Sequence, residues 1–281
     1  METLNRRIIT EPCTNIRARA RMMLKGHWST AVFGMLIMYV CIYFPRWILD
    51  TFLGKETSLA DLLTQFGLSS SNLAGLSGQD LSTLQSTTVN ISPVSNIYIL
   101  LVTGTFTFGM IYIMMMLLRA RAASPGDVFT GFERYGKTLG LYLYMALLVM
   151  LWTLIPFAGP VLGIVAGFRY SQSFFILFDN PDMPIPMIVS MSKYLMLGNK
   201  GKLFGLELSF IGWMLLAAVP AGIISGIASM AAVSTSVIVF ATFIGCAGEL
   251  WVLSYMMAAQ AIFYEILLGH IQAETYIPGV Y

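Results

Sequence analysis

The 281-residue chain is 57% hydrophobic and only 11% charged, with a net charge of +2. A soluble domain carries roughly 25% charged residues, so this composition excludes an ordinary water-soluble enzyme or nucleic-acid-binding domain. It describes a polytopic membrane protein, expected to be all-α, with six transmembrane helices in three hairpins and short amphipathic interfacial helices.

One membrane domain is expected over 1–281, with a basic amphipathic segment at 1–27, an extracellular segment at 50–96 and a transmembrane bundle at 97–281. The first segment carries Arg6, Arg7, Arg17, Arg19, Arg21 and Lys25. It lacks the short apolar core and small-residue cleavage site of a signal peptide, so the first span is expected to be retained. Because a span follows directly, the partners expected for these cations are anionic lipid headgroups and not nucleic acid. Spans are predicted at 28–49, 97–118, 139–155 and 161–178, and the apolar stretch 203–268 is long enough for two more.

Charge sets the expected orientation. Arg119, Arg121, Arg134 and Lys137 lie in one connection and Lys193, Lys200 and Lys202 in another, whereas 50–96 holds only Lys55. Basic loops favour the cytoplasm, so both termini are expected there, with the chain in the plasma membrane. Arg46, near the outer end of the first span, is the exception.

Split in two, 203–268 gives helices of about 33 residues, or roughly 50 Å each. A hydrocarbon core is about 30 Å thick. Two long helices are the expectation, and a break at Pro220 and Gly222 producing a seventh span is the alternative. In the outer segment, Ser58, Leu59, Leu62, Leu63 and Phe66 predict a short amphipathic helix with a capping box from Ser58 to Asp61. Asn90-Ile91-Ser92 matches a glycosylation sequon, which matters only in a eukaryotic secretory pathway.

Internal repetition is visible too. Gly26, Gly136-Lys137 and Gly201-Lys202 stand near the starts of the first, third and fifth spans, and Pro45, Pro156 and Pro220 follow at similar distances. Amphipathic or basic stretches precede each at 14–24, 125–135 and 186–197. Three helix-plus-hairpin units fit this pattern, although any six-span protein with internal termini contains three hairpins.

Arg169 is the most informative polar residue. It precedes Asp179 by ten residues, which places it roughly 15 Å inside the fourth span. A mid-span arginine costs at least ~2.5 kcal/mol and faces a partner or water. Gln172 and Ser173 follow at helical spacing on its face, and Glu207, Glu249 and Gln260 are the candidate partners. These six residues define either a polar cleft for a small or lipid-like solute or a clamp that fixes helix packing.

Other signals are weaker. Met114, Met115 and Met116 are contiguous and point in different directions, so they read as packing and not as copper ligands. Cys13, Cys41 and Cys246 lack metal-ligand spacing, and Asp179-Asn180-Pro181-Asp182 reads as a turn. The tryptophans near span ends read as interface anchors. Phosphate-binding loops, paired-histidine metal motifs and nucleophile elbows are lacking, so no cofactor and no enzymatic activity are expected.

The run Phe168-Arg169-Tyr170-Ser171-Gln172-Ser173-Phe174-Phe175-Ile176-Leu177-Phe178-Asp179-Asn180-Pro181 resembles a signature of the bacterial "domain of unknown function 975" family. So do Ser192-Lys193, Met196, Gly198-Asn199-Lys200, Leu203-Phe204 and Leu208 through Trp213, with weaker likeness at Ala18-Arg19, Leu24, Gly26, Ala261 and Phe263-Tyr264-Glu265. The resemblance implies a multi-span plasma-membrane protein and supplies no settled activity. Ser254 stands where the family usually has proline before Tyr255, and 217–247 is longer than the family pattern. Transport or export through the Arg169 cleft is the first functional expectation. The alternative is a scaffold or regulator that binds lipids or a protein partner, whose identity the sequence leaves open, through its cytoplasmic amphipathic helices.

Overall fold

The computed structural model describes residues 8–58, 88–156, 158–230 and 235–271. They form α1 (Cys13–Leu24), α2 (Trp28–Leu53), β1 (Lys55–Ser58), β2 (Thr88–Ile91), α3 (Pro93–Leu118), a 3-10 turn (Pro125–Phe129), α4 (Thr130–Glu133), α5 (Tyr135–Thr153), α6 (Gly159–Tyr170), α7 (Ser173–Asp179), α8 (Ile185–Leu195), α9 (Lys200–Met230) and α10 (Thr235–Leu268). Among the described residues, six helical segments are long and apolar enough to cross a membrane. The expected helical, six-span architecture is therefore observed.

Three details refine it. Strands β1 and β2 pair antiparallel, with Lys55 opposite Ile91 and Ser58 opposite Thr88. Ser58 thus belongs to a ladder; the rest of the amphipathic helix predicted at 58–66 lies outside the described residues. Second, α9 continues through Pro220 to Met230, so no turn at Pro220 creates a seventh span. At 31 and 34 residues, α9 and α10 are roughly 46 and 51 Å long. Third, the fourth span is not one uninterrupted helix. It tightens into a turn at Ser171 and Gln172 between α6 and α7.

The residues fall into two compact units, 1–38 with 104–281 and 39–103. The smaller holds the strand pair and the adjoining helix ends. There Asp50 accepts hydrogen bonds from Ser92 N–H at 3.1 Å and Ser95 Oγ at 2.6 Å, and meets Arg46 Nε at 3.4 Å. Arg46, the exception to the charge pattern, is neutralised by a carboxylate one turn away on its own helix.

The larger unit contains the buried core. Phe175, Phe210, Phe263 and Tyr264 are among its largest fully buried side chains. Its interfacial elements are held by close packing. Ser124 and Asp127 cap the 3-10 turn reciprocally, Oγ accepting from Gly126 N–H at 3.2 Å and the carboxylate from Ser124 N–H at 2.8 Å. Backbone then meets backbone: a Cβ on Gly109 would lie 1.9 Å from the Val128 carbonyl oxygen, and one on Gly131 2.1 Å from that of Thr105. Helix α1 buries Ile16, Ala20 and Leu24 and packs against α9 and α10. Helix α8 buries Ile188, Val189, Ser192 and Leu195.

Burial alternates along the chain. In the most apolar stretch of each span, 17%, 11% and 17% of residues are buried for Trp28–Leu53, Tyr135–Thr153 and Lys200–Pro220. The corresponding shares are 56%, 50% and 72% for Pro93–Leu118, Gly159–Asp179 and Ala247–Leu268. Three times, an interfacial helix precedes an exposed span and then a buried one. That regularity is what the three-unit reading of the sequence anticipates.

Candidate functional site

The six residues expected to line one cleft are found in separate places. Arg169 is half-buried, and its guanidinium carbon lies 5.8 Å from the centre of the Trp152 ring. A pocket of about 60 Å³ beside it is walled by Trp152, Leu162, Val165 and Ala166. Among the described residues no carboxylate reaches Arg169, so neither Glu207 nor Glu249 is its counterion. An aromatic face takes that role, through attraction of the cation by the ring quadrupole.

Gln172 and Ser173 follow Arg169 across the boundary between α6 and α7. The turn at Ser171 and Gln172 separates the two helices while both residues keep right-handed helical dihedrals. Both side chains are buried, Gln172 donating from Nε2 to Ser171 Oγ at 3.0 Å. Among the described residues, Gln172 Oε1 and Ser173 Oγ find no hydrogen-bond partner. Ser192 on α8 closes this region by donating to the Arg169 carbonyl at 3.0 Å.

Glu207 and Gln260 do meet: Gln260 Nε2 donates to Glu207 Oε1 at 2.9 Å, across α9 and α10. Glu249, also on α10, is half-buried and has no polar partner among the described residues. The expected cleft is thus one aromatic-capped cation, one buried amide and hydroxyl pair, one interhelical carboxylate–amide bond and one separate carboxylate.

The densest polar cluster was not anticipated. Arg119, just past α3, places Nη1 2.7 Å from Asp179 Oδ1 at the end of α7. Its Nε and Nη2 donate to Glu265 Oε1 on α10 at 2.9 and 2.8 Å. Tyr264 OH donates to Asp179 Oδ2 at 2.9 Å, and His270 Nδ1 lies 2.6 Å from Glu265 Oε2. Arg119 also stacks over Phe178 at 5.3 Å. Burial alone would lower the Arg119 pKa, but the hydrogen bonds and charges of Asp179 and Glu265 overcome it and the net shift is upward. The cation is locked on. Next to it Ala120 takes φ 51°, a left-handed conformation costing an alanine about 1–2 kcal/mol, at the point where the chain leaves α3. Chemically this is a clamp joining the ends of the three buried spans, with every acid group facing a donor.

A second polar surface runs along α1. With Ile16, Ala20 and Leu24 turned into the bundle, Arg21, Met22 and Lys25 are exposed. An open cleft of about 520 Å³ is lined by Glu11, Asn15, Arg19, Arg21, Lys25 and Trp28 among others. Glu11 holds Arg19 at 3.0 Å.

Residues 159–270 match the family described as Protein of unknown function (DUF975). Over that stretch the chain is similar to the family. It spans the fourth to sixth spans, including Arg169, Asp179, Glu207 and Glu265, and leaves the DUF975 pattern without Arg119 or α1. No curated protein and no solved structure matches the chain.

Proposed function

We propose that this protein, similar to DUF975 over its last three spans, is a non-enzymatic membrane scaffold or regulator that engages anionic lipid headgroups through its N-terminal helix. The orientation of α1 carries the proposal. Its apolar face is taken up by α9 and α10, so the face left for the surroundings is the basic one with Arg21 and Lys25. Juxtamembrane lysines and arginines each contribute about 1 kcal/mol of attraction to an anionic leaflet. On this reading α1 lies on the cytoplasmic side of the plasma membrane, as basic flanks favour.

Transport through Arg169 has less support. The guanidinium lies against Trp152, the adjoining pocket is only about 60 Å³, and Glu207 pairs with Gln260 instead.

Trypsin tests the lipid reading at the cleavage sites α1 itself supplies, Arg19, Arg21 and Lys25. In nanodiscs of phosphatidylglycerol, cleavage there is expected to be slower than in phosphatidylcholine, with the difference collapsing at high salt. Equal rates in both lipids overturn the proposal. A solute flux in proteoliposomes that Arg169→Ala abolishes would overturn it in favour of transport.

A further inference from the structure

We infer that Arg17 and Arg21 form a phosphate-binding site for an anionic phospholipid, with Trp28, Trp213 and Trp251 receiving its apolar portion. The inference rests on the reading of α1 as a lipid-engaging helix and names the residues and ligand group involved.

Arg17 is pinned at both ends. Its Nη1 donates to the Ser209 carbonyl of α9 at 3.1 Å, while its own carbonyl accepts from Tyr255 OH of α10 at 2.9 Å. That leaves a half-buried guanidinium in a fixed place, and its Nε is buried with no acceptor. A buried donor on a charged group without an acceptor is costly, and the natural remedy is an oxyanion. Arg21 follows one turn later, is exposed, and acts electrostatically on the same Tyr255 hydroxyl as Arg17. Among the described residues neither arginine has a carboxylate partner. Two guanidinium groups on one helix face match a phosphate, whose oxygens accept paired N–H bonds.

The surroundings select a lipid as the source of that phosphate. Trp28 stacks on Trp251 with centroids 5.1 Å apart, Trp213 meets Trp251 at 6.4 Å, and Tyr255 packs edge-on to Trp28 at 6.1 Å. Trp213 and Trp251 remain 46% and 38% exposed. Exposed rings of this kind beside the two arginines offer an apolar seat for the chains of a lipid, which a free phosphate does not have. The site carries two positive charges, so a lipid with net negative charge is favoured over a zwitterionic one whose own cation already faces its phosphate.

Lipid retention by the full chain, read by native mass spectrometry, tests the inference. The probes are phosphatidylglycerol and phosphatidylcholine, with inorganic phosphate as a separate arm. Wild type is expected to retain phosphatidylglycerol preferentially, and Arg17→Gln and Arg21→Gln each to lower that retention about tenfold. Arg21 is exposed, so Arg21→Gln should fold normally even if Arg17→Gln does not. Arg19→Gln, whose guanidinium Glu11 already holds at 3.0 Å, should retain the lipid as wild type does. Undiminished retention by Arg21→Gln overturns the site, as does inorganic phosphate displacing the bound lipid completely, which would mark a site for small anions. If preference vanishes with Lys25→Gln but survives Arg17→Gln and Arg21→Gln, α1 still engages lipid diffusely and this site is wrong. Equal trypsin rates in the two bilayers would instead sink the broader reading.

Discussion

The buried and the exposed spans are almost equally apolar, yet they pack in opposite ways. Mean hydropathy is 1.7, 1.3 and 1.7 for the exposed first, third and fifth spans and 1.9, 1.5 and 1.4 for the buried second, fourth and sixth. The span with the most burial, Ala247–Leu268 at 72%, is thus less hydropathic than two of the exposed ones. In lipid there is no water to flee, so apolarity does not sort helices into a core; close approach and interhelical hydrogen bonds do. The buried spans carry the means. Gly104, Thr105 and Gly109 lie on α3, Gly163 and Ser173 on the fourth span, and Ser254, Ala258, Ala259 and Ala261 on α10. Ser254 is fully buried and shares its hydroxyl proton between the Leu250 carbonyl of its own helix at 2.8 Å and the Ala31 carbonyl of α2 at 3.3 Å.

Glycine gives the sharpest test of this contrast. Gly109→Ala forces a methyl into the Val128 carbonyl and should cost ~3 kcal/mol or more, enough to prevent recovery of a monodisperse protein. Gly212→Ala on exposed α9 meets open space and should be neutral or stabilise by about 0.5–1 kcal/mol. Thermal unfolding in detergent measures both; equal losses would end the distinction between the two classes of span.

Next in size is the clamp. Arg119→Ala leaves the nearly buried Glu265 carboxylate facing His270 alone and should cost about 2–3 kcal/mol, less than a fully buried pair because Arg119 is partly exposed. Arg169→Ala removes a cation–π contact and should cost only about 0.5–1 kcal/mol. Combined with Trp152→Leu, its loss should be less than additive in a double-mutant cycle; full additivity would show that the ring does not hold the cation. Smallest of all, Leu215→Ala on the 66%-exposed surface of α9 should change stability by less than about 0.5 kcal/mol.

The architecture was legible because its signals are local. Spans follow from apolar length, the continuity of α9 through Pro220 from the length of 203–268, and the interfacial helices from their amphipathic pattern. The site was only partly legible. Glu207 and Gln260 were both singled out and do bond, but Arg169 meets the Trp152 ring and neither of the carboxylates expected for it. No strong breaker announces the turn at Ser171 and Gln172. The Arg119 cluster was hidden for a different reason. Each member has a satisfactory local explanation: Arg119 as a topology-setting cation, Asp179 in a turn, Glu265 near a helix end. Only folding unites them, and one signal was available, since Asp179 and Glu265 both close spans that alternate with those opened by Gly-Lys pairs.

The bond from Arg119 to Glu265 crosses 146 positions of the chain. During synthesis, Arg119 emerges with no acid partner in this cluster until Asp179 arrives, and it is half-matched until the final span is nearly complete. A chain that stops short of Glu265 therefore holds Arg119 between two helix ends, with Asp179 as its one carboxylate in the cluster.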